Sequence, residues 1–77
     1  MRKWVEVLEL LSDGSWHIRV ELQNELGLSE FQAALLTNFL VECGFCIYQV
    51  QEDGVAVKLR AEVLFFLEQL DKLEGQN

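Results

Sequence analysis

Residues 21–44, ELQNELGLSEFQAALLTNFLVECG, decide the fold. Leu22 and Leu26 continue a four-residue apolar rhythm begun at Ile18, with Arg19, Glu21, Gln23 and Glu25 between them. That spacing predicts a short helix, and Gly27 stops it. Ser29 opens a second helix. Its hydroxyl can accept a backbone N–H of the first turn, and Gln32 can accept the Ser29 N–H in return, a Ser-x-x-Gln capping box. From there Phe31, Leu35, Leu36, Phe39, Leu40 and Cys43 recur along one side and predict the core face, until Gly44 closes the helix. The side predicted to face outward holds Glu30, Ala33, Ala34, Thr37, Asn38 and Val41.

After Gly44 the apolar period changes from helical to alternating. Residues 45–52 and 55–60 flank Asp53-Gly54, a two-residue hairpin signal. Such a turn pairs position 52 with 55, 50 with 57 and 48 with 59. One face then collects Cys46, Tyr48, Val50, Val55, Val57 and Leu59, and the other Ile47, Gln49, Gln51, Ala56, Lys58 and Arg60. A last helix is predicted over 61–73, with Val63, Phe66, Leu67, Leu70 and Leu73 as its stripe and a fraying tail from Glu74 to Asn77. Upstream, residues 2–11 predict an amphipathic helix with Trp4, Val7, Leu8 and Leu11 on one side, stopped at Asp13-Gly14. Ser15-Trp16-His17 fits a single short strand that pairs elsewhere.

The predicted order is helix, short strand, helix, helix, hairpin, helix. Three stretches carry a family likeness: Leu10-Leu11-Ser12-Asp13-Gly14-Ser15-Trp16, then residues 21–29 (ELQNELGLS), then Phe39-Leu40-Val41-Glu42-Cys43-Gly44-Phe45. In these the chain resembles the winged-helix superfamily, a helix-turn-helix variant followed by a β-hairpin wing. It is most similar to small stand-alone archaeal proteins akin to transcription regulators. The resemblance covers nearly the whole chain. It implies one winged-helix domain over residues 1–77, of α+β class and mainly α: a three-helix core, a wing and a C-terminal helix.

The resemblance also implies function. Many relatives place the third helix in the major groove of double-stranded DNA and the wing on phosphates, often as dimers, whereas others bind only proteins. On the DNA reading, Thr37 and Asn38 meet bases: Asn38 can pair bidentately with adenine and Thr37 can touch a thymine methyl. Arg19, Lys58 and Arg60 meet phosphates, and Arg2 and Lys3 could reach a backbone if the N-terminus lies near. Charge opposes this. The chain carries thirteen acids and six bases, for a net charge of -7. Residues 20–57 contain six acids and no base, and the expected wing tip, Glu52-Asp53-Gly54, is itself acidic. The alternative reading is an acidic winged-helix adaptor that binds a protein partner and not DNA.

Val5 and Leu10 on the first helix, and Leu64 and Phe65 on the last, fall outside the stripes that one small core needs. Ile47 and Val41 do the same on the hairpin and third helix. The excess predicts a homodimer or partner interface built from the terminal helices.

Composition excludes several classes. With 51% hydrophobic and 25% charged residues the chain is globular, and no apolar run is long enough to span a membrane. The first residues lack the apolar centre of a signal peptide, so a soluble cytoplasmic protein is expected. Cys43-Gly44-Phe45-Cys46 has Cys-x-x-Cys spacing, but Cys43 closes a helix, whereas a redox pair places its first cysteine at a helix start. Both cysteines are therefore expected as small buried residues, with no metal. His17, the only histidine, has no serine, carboxylate or metal motif placed around it in the sequence and reads as structural. No phosphate-binding loop or acid–base pair occurs, so neither enzymatic activity nor a cofactor is expected.

Overall fold

The capping residues and glycines set the element boundaries of the structure, a computed structural model that describes residues 3–75. Its elements are α1 (Lys3–Leu10), a 3-10 turn (Leu11–Asp13), β1 (His17–Ile18), α2 (Arg19–Leu26), α3 (Glu30–Glu42), β2 (Cys46–Gln51), β3 (Gly54–Leu59) and α4 (Ala61–Gly75). The fold is α+β and mainly helical, with a three-stranded antiparallel sheet ordered β1-β3-β2. Among the described residues no helix is long and apolar enough to cross a membrane.

The capping box forms as predicted. Gln32 donates its backbone N–H to Ser29 Oγ at 3.1 Å, and the Ser29 N–H reaches Gln32 Oε1 at 3.0 Å. Such a cap stabilises a helix by about 1 kcal/mol and fixes where α3 begins. Gly14 ends the first helical segment at φ 77°, donating its N–H to the Leu11 carbonyl at 3.1 Å. A Cβ there would stand 2.9 Å from Leu64 Cδ2, which would have to swing aside, while the left-handed backbone itself favours glycine.

The core joins α1 and the 3-10 turn (Val7, Leu11), α2 (Leu22), α3 (Ala33, Leu40) and the sheet (Cys46, Val57, Leu59). In α3 the inward face differs from the expected one. Ala33, Thr37 and Leu40 are buried, while Phe31, Leu35 and Phe39 are exposed at 73%, 59% and 58%. The helix carries two apolar stripes, and the one containing small residues turns inward, because Ala33 and Thr37 let α3 lie close to the core. Thr37 meets its polar demand within the helix, donating its hydroxyl to the Ala33 carbonyl at 2.8 Å.

The hairpin keeps the predicted faces but not the predicted partners. Val50 pairs with Val55, Tyr48 with Val57 and Cys46 with Leu59, a shift of two residues. Gly54, at φ 128°, opens β3 opposite Gln51, and Glu52-Asp53 make the turn. A two-residue shift preserves which side chains share a face, so the alternating pattern fits both registers. The short strand lies at His17–Ile18, one residue past its predicted end, and pairs with Val57 and Ala56 of β3. In α4, Val63, Leu64 and Leu67 pack on the core. Phe65, Phe66, Leu70 and Leu73 are exposed, although Phe66, Leu70 and Leu73 were expected in its inward stripe. The helix persists through Glu74 and Gly75, where fraying was expected; Gln76 and Asn77 lie outside the described residues.

Candidate functional site

Two surfaces of α3 are available for recognition. The first is a groove between α3 and the β2–β3 hairpin. Its upper part, about 380 Å³, is lined by Arg19, Thr37, Asn38, Val41, Glu42, Tyr48, Val55 and Val57. Arg19 and Val55 also line a lower hollow of about 390 Å³, with Val20, Gln23, Glu30, Ala34, Asp53 and Gly54. Arg19 is the only base lining either part, and among the described residues it has no ion-pair partner. Glu42 lines the first hollow, and Glu30 and Asp53 line the second, so each sets carboxylates beside Arg19.

The second surface is the ridge formed by Phe31, Leu35 and Phe39 at helical spacing i, i+4, i+8. Beside it lies a crevice of about 490 Å³ lined by Leu35, Leu36, Asn38, Phe39 and Glu42. Asn38 and Glu42 border both surfaces. The only charged residues of α3, Glu30 and Glu42, sit at its two ends.

Of the residues expected to contact DNA, Arg19, Thr37 and Asn38 line one groove, and Lys58 and Arg60 are not among its lining residues. Thr37, only 2% exposed and with its hydroxyl turned into its own helix, is removed from the set: its edge is not available to a base. Lys58 lies over the Trp16 ring, 5.0 Å from its centroid, a cation–π contact of about 0.5–1 kcal/mol that holds the ammonium away from the groove. Arg60 pairs with Glu62 at 3.5 Å, and Lys3 binds the Leu26 carbonyl at 3.1 Å and Glu6 at 3.5 Å. Arg2 lies outside the described residues.

The expected interface residues also divide. Leu10 and Leu64 pack against the core and Val5 is half-buried, so none of the three is a free anchor; Phe65 is exposed. The exposed apolar residues missed by the sequence reading include Phe31, Leu35 and Phe39 on α3, Phe66, Leu70 and Leu73 on α4, Tyr48 and Val50 on β2, and Trp4 on α1. The signal for the α3 set was present as a second apolar stripe on α3, more hydrophobic surface than one core face requires.

His17 does have carboxylates around it. Its Nδ1 lies 2.8 Å from Glu21 Oε2, and its Nε2 lies 3.0 Å from both oxygens of Asp13. Ionised carboxylates only accept hydrogen bonds, so both contacts are satisfied when the ring carries both protons. Burial pulls the imidazole pKa down, but the hydrogen bonds and charges of Asp13 and Glu21 outweigh it and hold it above its ordinary value. The Asp13 carboxyl is lowered, first by the Ser15 backbone N–H and then by His17. The trio clamps the 3-10 turn, β1 and α2 together. Of the two cysteines, Cys46 is buried, with its thiol pushed up to about 11 by desolvation, whereas Cys43 is exposed, contrary to expectation. Among the described residues no group of three or more His, Cys, Asp or Glu side chains is placed to hold a metal ion.

No protein-family model, curated protein or solved structure matches the chain.

Proposed function

We propose that the chain is a winged-helix module that works by binding protein surfaces and self-associates through α4. In this reading α1, α2 and α3 are the three-helix core, β2 and β3 the wing, β1 the strand that completes its sheet, and α4 the C-terminal helix. The element order and the β1-β3-β2 sheet order support it. One observation carries the functional part: the outward face of α3 presents Phe31, Leu35 and Phe39 where a DNA reader needs cations and base-reading side chains. Large exposed apolar stripes mark protein contacts.

Self-association is assigned to α4 because Phe65, Phe66, Leu70 and Leu73 lie on its exposed surface. Sedimentation equilibrium tests this. The wild type should form a concentration-dependent dimer, and Phe65→Ser combined with Leu73→Ser should be monomeric. A wild type that stays monomeric, or a variant that dimerises as well, refutes the assignment. The second reading, DNA contact, draws on Arg19 and Asn38 lining one groove, and a duplex-DNA titration decides between the two.

A further inference from the structure

Resting on the protein-binding reading, we infer that the outer edge of β2 accepts a short extended segment of a partner protein as an added antiparallel strand. The sheet order β1-β3-β2 leaves β2 with a neighbouring strand on one side only. Parity shows which backbone groups are free. The Phe45 carbonyl accepts the Arg60 N–H at 2.9 Å, and the register runs unbroken from there. Ile47, Gln49 and Gln51 therefore turn their N–H and C=O groups to β3, and Tyr48 and Val50 turn theirs outward. Among the described residues no side chain and no loop backbone hydrogen-bonds residues 46–51 on that side.

The edge lacks the usual protections. Its sequence, CIYQVQ, holds no charge and no proline, and its continuous register has no bulge. Its side chains define the segment that fits. Tyr48 and Val50 are exposed on one face, whereas Gln49 and Gln51 stand on the other with half-buried Ile47. A matching strand sets a β-branched or aromatic residue opposite Tyr48 and Val50 and a polar residue between, since such cross-strand pairs are favourable. Tyr48 also lines the groove beside α3, so the added strand extends that groove's wall. A second copy fits less well. Through the β2 edges alone it would engage six residues a side, against the roughly 20–30 of a stable dimer. Antiparallel pairing about Gln49 would also set Glu52 and Asp53 of each copy beside residues 45–46 of the other, a few residues from Glu42. A flexible peptide needs no such area, because main-chain hydrogen bonds carry its affinity.

The probe is a labelled peptide of alternating Val and Thr, about six residues long as ordinary strands are, titrated by fluorescence anisotropy against the full chain. It should bind. In antiparallel pairing the residues opposite Tyr48 and Val50 point their own N–H groups at β2, and these are the valines. N-methylation of the valines should abolish binding, and N-methylation of the threonines should leave it unchanged. Val50→Pro removes an outward N–H without touching the ladder to β3, and should weaken binding roughly tenfold, the loss of about one hydrogen bond. Tyr48→Ser with Val50→Ser should weaken it as well, and Phe65→Ser with Leu73→Ser should leave it unchanged. Circular dichroism checks that each variant is folded, and the N-methylated peptides test the edge on the unaltered chain.

No binding of the parent peptide overturns the inference, and so does equal binding of the two N-methylated peptides. Loss of self-association in Val50→Pro overturns it in favour of a second copy on this edge. Salt-dependent binding of duplex DNA would instead sink the underlying protein-binding reading; a failed peptide with a flat DNA titration sinks only the assignment of an added strand.

Discussion

Which face of α3 points inward can be measured with three substitutions. Phe31 is 73% exposed, so only about a quarter of the roughly 3–5 kcal/mol lost on truncating a buried phenylalanine is at stake. Phe31→Ala should therefore cost about 1 kcal/mol or less. Leu40, 1% exposed, should cost about 3–5 kcal/mol on change to Ala, since the transfer and cavity losses apply in full. Ala33 is fully buried, so Ala33→Leu forces extra methylenes into a filled space and should cost about 1–3 kcal/mol. A domain of this size has a total stability of roughly 4–12 kcal/mol, so these values separate clearly. Urea denaturation followed by circular dichroism reads them, at one fixed protein concentration because the self-association proposed for α4 would add to apparent stability. A Phe31→Ala cost above about 2.5 kcal/mol with a neutral Ala33→Leu would show α3 turned the other way, and the apolar ridge would vanish with it.

Three further outcomes follow from local geometry. A raised His17 pKa adds stability that is fully present below its unfolded value, near pH 6.5, and is lost as pH rises through the folded value; the lowered Asp13 pKa acts oppositely, losing its contribution in acid. A series of urea midpoints should thus fall for the wild type, relative to His17→Gln, as pH rises from about 6.5 through the raised folded value; parallel curves would refute the clamp. Gly14→Ala should lower stability by about 1–2 kcal/mol from the left-handed backbone alone, and further through Leu64, and an unchanged thermal midpoint would contradict that. In thiol-labelling kinetics followed by mass spectrometry, Cys43 should modify quickly and Cys46 only as fast as the fold opens, so equal rates would contradict the burial of Cys46.

What could be read from the sequence was what local rules determine. The Ser29–Gln32 capping box involves residues three apart, so it was visible before any fold was known. The helix boundaries at Gly27 and Gly44 and the two hairpin faces were visible for the same reason. The register was not, because pairings differing by two residues give identical faces and differ only in whether Asp53-Gly54 or Glu52-Asp53 makes the turn. The orientation of α3 was misjudged because phenylalanine and leucine resemble core residues more than Ala33 and Thr37 do. Close helix packing reverses that preference. Asp13, His17 and Glu21 are evenly spaced but belong to three different segments, and only the turn between them brings the carboxylates to the ring. The local neighbours of Lys58 and Arg60, Trp16 and Glu62, were not legible as contacts in the sequence.

The central claim, that α3 presents a protein-binding face and not a DNA-reading one, is tested most directly by titrating labelled duplex DNA at low salt and again at high salt. The account predicts no change in anisotropy at either salt up to roughly 100 μM protein, the weak limit of ordinary non-specific DNA binding. An isotherm that tightens steeply as salt falls, and that Arg19→Ala weakens, would contradict it and return the groove beside α3 to the DNA.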